Sequence, residues 1–251
     1  RTQCSNNLKQ ICLGFHSYAD VNGNLPSAYT ATGTLPGWGW GSSILPYVEQ
    51  SNIYDTMGVT QVAFGGGAQP ALPTALMQTK LSLYRCPADT GPIQNTFRLN
   101  YATSNYRAVT GPTVLQLFIA NEDLGGVMWH NSAVTLAQIT DGTSNTLAVG
   151  ECMFDERTSK WAAIWPGMSG MRGLPPSTAA SIFIRDVMWS VDDVSAQVNG
   201  TAPQAFSSRH TAGAYFGFCD GSVRLFRTGG NPAVLKWLAG RGDGEIVNND
   251  F

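Results

Sequence analysis

The feature that most constrains this chain is a single apolar stripe at its beginning. Leu8, Ile11, Cys12, Phe15 and Ala19 recur at spacings of three and four, while Asn7, Lys9, Gln10 and Ser17 fall on the other side. That period marks an α-helix with one face for a core and one for water. Such a helix needs an apolar surface to lie on, so the rest of the chain must supply one. Gly23 and Pro26 end it beyond Asp20. No capping residue stands before residue 2, so the stripe reads as the continuation of a longer helix.

The expected surface is a sheet. Residues 101–110, 127–129, 146–153, 161–165 and 187–190 are short runs rich in β-branched or aromatic residues between turn signals. The clearest hairpin joins residues 214–219 to 222–226 through Asp220-Gly221, a dipeptide that suits a two-residue primed turn. Alternation puts Ala214, Phe216 and Phe218 on one face and Tyr215, Gly217 and Cys219 on the other. A closing helix is predicted over 232–239. Shorter helices are predicted from Ser42 or Ser43 through Tyr47, Val48, Ile53 and Tyr54, and over 72–81, with an exposed Gly-rich loop over 58–71. The fold class is α+β: a long N-terminal helix over 1–22 on the antiparallel sheet of one loop-rich, β-dominated head over 23–251.

Composition removes several classes. At 43% apolar and 10% aromatic the chain buries a core, which excludes wholesale disorder. Charged residues are 13%, against the usual quarter or so, and the net charge is −2, so no basic surface offers itself to nucleic acid. No apolar run reaches the roughly 18 residues of a membrane span.

The cysteines are Cys4, Cys12, Cys86, Cys152 and Cys219, with no C-x-x-C pair, and only His16, His130 and His210 to join them. That spacing does not predict a structural zinc site. Low charge, few lysines and many aromatics favour an extracytoplasmic location with one or two disulfides. Cys4–Cys86 is the preferred pair, tying the first helix to the middle of the chain. Cys152–Cys219 becomes available if their strands are neighbours. The competing reading makes all five small buried hydrophobes, and the connectivity stays open.

Candidate chemistry is sparse. No G-x-S-x-G elbow surrounds a serine, Ser208 precedes His210 in a strand-like context, and no cysteine opens a convincing helix. No catalytic residue is expected, and no cofactor is required. Asp141 and Asn145, within Ile139-Thr140-Asp141-Gly142-Thr143-Ser144-Asn145-Thr146, and Asp220 offer oxygens of the kind Ca²⁺ takes, although EF-hand spacing is absent. The competing reading is that Asp141 and Asn145 fix a turn. Trp38 and Trp40, in Gly37-Trp38-Gly39-Trp40-Gly41, are candidates for a carbohydrate platform. Asn199-Gly200-Thr201 fits the glycosylation sequon and marks an exposed loop.

Several segments together resemble one family. Arg1-Thr2-Gln3-Cys4-Ser5-Asn6-Asn7-Leu8-Lys9-Gln10-Ile11, Leu45-Pro46-Tyr47-Val48-Glu49-Gln50, Tyr84-Arg85-Cys86-Pro87-Ala88-Asp89 and the 139–146 segment ending in Val149-Gly150-Glu151 resemble its signatures, in order. His210, nine residues before Asp220-Gly221, matches its C-terminal His-x9-Asp-Gly signature. The chain is similar to planctomycete type IV pilin-like proteins, themselves similar to pseudopilins of type II secretion. The resemblance implies a leader, a processing site and an apolar helix before the segment seen here, and assembly with copies of itself into an extracellular filament. The membrane would be reached only through that upstream helix. In this reading His210 pins a loop against a neighbouring carboxylate or carbonyl and Gly221 serves a tight turn. Cys12, Cys152 and Cys219 depart from the family's pattern.

Overall fold

Helix α1 (Thr2–Asn22) buries Cys4, Asn7, Leu8, Ile11, Cys12, Gly14, Phe15 and Ala19, the predicted stripe with small or polar residues added where the chain packs closest. Burying Leu8, Ile11 and Phe15 contributes about 1.5–3 kcal/mol each, far more than helix propensity, so packing holds α1 in place. Its end is a left-handed Gly23 (φ 79°) whose N–H returns to Ala19 O. The computed structural model describes residues 1–31, 36–68, 70–113, 123–170, 185–193, 195–245 and 247.

Between α1 and the sheet lie β1 (Tyr29–Thr30), β2 (Gly37–Gly39), α2 (Trp40–Ser43) and α3 (Ser51–Met57). The single helix predicted here is broken. Pro46 sits at the start of a separate 3-10 turn, Leu45–Tyr47, and the serines cap nothing, since Gly39 precedes α2 and Gln50 precedes α3. The 58–71 segment is not simply an exposed loop, because Phe64 is buried, stacked on Tyr101 at 5.4 Å and edge-on to Trp38 at 5.0 Å. Residues 72–81 hold only a 3-10 turn, Leu76–Gln78. Pro73 removes a donor and only Met77 of the turn is buried, too little apolar face for a helix.

The strands that follow are β3 (Gln94–Asn95), β4 (Tyr101–Ser104), β5 (Tyr106–Val109), β6 (Leu147–Glu151), β7 (Phe154–Asp155), β8 (Lys160–Trp161), β9 (Ala163–Ile164), β10 (Gly167–Met168), β11 (Met188–Trp189), β12 (Gly213–Phe218) and β13 (Val223–Arg227). Helix α4 (Pro232–Ala239) comes last, capped by the Asn231 side chain on Ala233 N–H. The central sheet runs β11-β5-β6-β12-β13, antiparallel except where β11 pairs parallel with β5, so it is mixed. Residues 127–129 form no strand; beside them is one isolated bridge, Tyr29 to His130.

Alternation along β12 works as predicted. Phe216 and Phe218 meet Phe206 and Phe226 on one face, while Gly217 lies under α1. A Cβ on Gly217 would collide with Cys12 Sγ, so the helix rides on a backbone stripped of its side chain. The hairpin turn differs from the prediction. Gly221 N–H bonds Phe218 O, Phe218 N–H bonds Ser222 O, and only Gly221 has a positive φ (84°). This is a three-residue loop with Gly221 at the left-handed bulge position. The reason is tertiary: Cys219 is buried and its N–H is held by Thr146 O, so it cannot extend the ladder to Ser222.

Candidate functional site

Four buried side chains from four distant segments converge at the first turn of α1. Cys4 and Cys86 form a disulfide across 82 residues, with Cα atoms 5.0 Å apart. His210 Nε2 lies 3.5 Å from Cys86 Sγ and 3.5 Å from Glu151 Oε1. The ligand-type atoms of Cys4, Cys86, Glu151 and His210 all fall within 4.8 Å of one another. Among the described residues no other group of three or more His, Cys, Asp and Glu side chains is close enough to share an ion.

Each member is positioned by its own segment. Asn7, one turn beyond Cys4, donates to Arg85 O at 2.9 Å and Ser82 O at 3.3 Å, which docks the helix on the Cys86 loop. Asn105 sits between β4 and β5 and uses every polar atom. Its Oδ1 accepts from Cys86 N–H (3.1 Å), its Nδ2 donates to Cys152 O (3.1 Å), its N–H reaches Tyr84 O and its carbonyl takes Cys152 N–H. Asp89 closes the same loop by accepting from Gly91 N–H and Phe154 N–H, both at 2.7 Å. Glu151 ends β6, where its Oε2 accepts from Tyr215 N–H (2.8 Å) and its backbone carbonyl from Ser207 N–H (2.9 Å). His210 N–H donates to Ser208 Oγ, and the imidazole stands edge-on to Tyr215. Tyr106 donates its hydroxyl to Cys4 O. Burial, then the nearby Glu151 charge, pushes the Tyr106 phenol above its usual range, so it remains a proton donor.

The other three cysteines are buried free thiols. The second bridge, Cys152–Cys219, does not form although β6 and β12 are neighbours. Phe218 faces Leu147 and Phe216 faces Gly150, so the antiparallel register leaves Cys219 beyond one end of the pair and Cys152 beyond the other. Burial pushes Cys12 up to about 12, with the Asp220 charge adding to it, and Cys152 up to about 11; Cys219 also rises by burial. None is a ready thiolate nucleophile.

The remaining candidates go elsewhere. Asp141 spreads its carboxylate over the N–H groups of Asp243 (2.9 Å) and Gly244 (3.0 Å), and Asn145 Nδ2 donates to Asp141 O (3.0 Å). Asp220 Oδ1 accepts from Ser222 N–H at 2.8 Å. The three residues considered for Ca²⁺ fasten backbone, and the Asp141 segment anchors the chain after α4. Trp38 and Trp40 offer no platform to a sugar: both are buried, their indoles donating to Val62 O and Val187 O at 2.9 Å. The flanking glycines explain this, for Gly39 and Gly41 let the backbone pass against Gly167 and Trp165, which draws both rings inward. Asn199 of the sequon is engaged at both ends, by Thr228 Oγ1 and Ser208 N–H.

Sequence reasoning paired Cys4 with Cys86, as the structure does, but named His210 apart from them and missed that Glu151 and Asn105 join them. The only local signal was that Glu151 and Cys86 stand inside signature segments.

A long helix laid on a mixed sheet, crosslinked at its first turn beside a buried His–Glu pair, defines an α+β protein in which Cys4, Cys86, Glu151 and His210 meet at one internal junction. The chain belongs to the family described as protein of unknown function (DUF1559), whose profile matches residues 1–228. No curated protein and no solved structure matches it.

Proposed function

We propose that this protein is a structural subunit of an extracellular pilus- or pseudopilus-like filament, working by self-assembly with copies of itself and without turnover. The observation that carries the reading is α1. One face is committed to the sheet of its own head, while Leu13 (53% exposed) and Val21 (72% exposed) stand on its outer side. A helix fixed on the face of its head's sheet, with apolar residues turned outward, suits heterologous contacts that repeat without closing. The signature segments support the reading by their resemblance to pilin-like proteins, and the Cys4–Cys86 bridge suits an oxidising compartment. Among the described residues no helix is long and apolar enough to cross a membrane; in this reading membrane contact comes from the upstream apolar helix that the resemblance implies.

The test is electron microscopy of the product carrying that upstream helix, in its native host. Fibres containing this chain are expected. Leu13→Asp with Val21→Asp should abolish them while leaving the melting temperature of the chain over residues 1–251 within a few degrees. A cell surface that carries the protein only as dispersed monomers would overturn the reading.

A further inference from the structure

We propose that Cys4, Cys86, Glu151 and His210 form a four-ligand site for a thiophilic divalent cation of the zinc class whenever the Cys4–Cys86 bond is reduced. Three observations carry it. First, four donors of the types zinc prefers lie within 4.8 Å of one another, all buried, on segments held independently by Asn7, Asn105, Tyr215 and Ser208. Second, Glu151 Oε1 is buried with no hydrogen bond of its own, and it faces the imidazole Nε2 at 3.5 Å. In the disulfide form that oxygen looks onto sulfur atoms that offer neither a proton nor a charge. Third, the two edges that meet at His210 Nε2 already match those of a tetrahedron. With Zn–S of about 2.3 Å and Zn–N or Zn–O of about 2.0–2.1 Å, nitrogen-to-sulfur edges are about 3.5 Å and nitrogen-to-oxygen edges about 3.4 Å. The His210–Cys86 and His210–Glu151 separations are each 3.5 Å. The two sulfurs must part to about 3.8 Å, and the remaining edges, which lie within 4.8 Å, must adjust toward about 3.5 Å. Two sulfurs and a nitrogen select a borderline-soft ion over Ca²⁺ or Mg²⁺, and four protein ligands leave no position for a substrate.

The chemistry balances. A water-soluble phosphine reduces the bond: one disulfide, one phosphine and one water give two thiols and a phosphine oxide. The cation then displaces both thiol protons, and the two thiolates, the imidazole nitrogen and the carboxylate oxygen hold it. Reoxidation by an added small-molecule disulfide, which takes up the two electrons and two protons and leaves as two thiols, expels the ion as the S–S bond reforms. One crosslink replaces the other at the same place, so α1 stays tied to the Cys86 loop and gains a tie to β6 and His210. The sequence spacing gave no sign of this, since Cys4, Cys86 and His210 stand 82 and 124 residues apart.

The experiment reduces the full chain with the phosphine, removes excess reagent without oxygen, and titrates Co²⁺ and then Zn²⁺. One equivalent of Co²⁺ should give the visible bands of a tetrahedral ion with a thiolate charge-transfer band, both erased by one Zn²⁺, and the disulfide form should give neither. Glu151→Gln, which keeps an acceptor for Tyr215 N–H, should weaken zinc at least tenfold and shift the cobalt bands. X-ray absorption on the zinc-loaded natural sequence should find two sulfur and two nitrogen or oxygen neighbours, which needs no variant to fold. No uptake, three or more sulfur neighbours, or uptake only by a chain that has lost its circular dichroism would each overturn the proposal.

Discussion

The Cys4–Cys86 crosslink allows the sharpest energetic prediction. The perturbation is Cys4→Ala with Cys86→Ala. The bridge closes a loop of 82 residues, and the loop-entropy relation then removes about 15 cal/mol/K from the unfolded chain, or ~4.5 kcal/mol at 25 °C. At about 2–4 °C per kcal/mol for a chain of this size, the melting temperature should fall by about 9–18 °C. The fold itself should persist, because Asn7 still bonds Arg85 O and Ser82 O and Asn105 still bonds the Cys86 N–H. The assay is urea unfolding of both proteins followed by near-ultraviolet circular dichroism, with calorimetry alongside. Since the loss arises in the denatured state, which expands without the crosslink, the denaturant slope should rise as the midpoint falls. A loss below about 1 kcal/mol with an unchanged slope would refute the argument, because loop closure would then not be what the bridge contributes.

Two further outcomes test the packing and the charge pattern. Gly217→Ala should destabilise by about 1–3 kcal/mol through collision with Cys12 Sγ, and Cys12→Ala added to it should recover most of the loss; additive urea midpoints would show that α1 does not ride on Gly217. Asp123 is held below the usual carboxylate range mainly by the Arg241 guanidinium, with Gly125 N–H assisting and burial opposing. A depressed folded value stabilises above the unfolded value of about 3.9 and loses that contribution as pH falls through the folded value. Arg241→Gln should therefore destabilise by about 0.3–1 kcal/mol at pH 7, small because Asp123 is half exposed, with the gap closing as pH falls below the ordinary carboxylate range. A gap of equal size at pH 2 would assign the effect to the Arg241 bond to Gly126 O instead.

The signature segments turn out to be joints of the architecture. Leu45-Pro46-Tyr47-Val48 packs on α1 at Gly14, whose missing side chain makes room for Ile44 and Val48. Tyr84 to Asp89 is the loop that receives Cys4, and Asp141 to Thr146 secures the exit of α4 through Asp243, Gly244 and Gly240. His210 and Asp220-Gly221 bracket β12, one at the crosslink and the other at the turn.

What the sequence determined by itself was local. The stripe of α1, the alternation of β12 and the helix over 232–239 are written in periodicities of a few residues, and each forms because neighbours along the chain agree on one buried face. Tertiary structure decided what depends on residues far apart. It turned Trp38 and Trp40 inward against Gly167 and Trp165, and set a register that keeps Cys152 from Cys219. It also brought Glu151 and His210 to the bridge between Cys4 and Cys86. The physical reason is that a buried polar group must find its partner wherever the fold places one, and separation along the chain carries no record of that meeting.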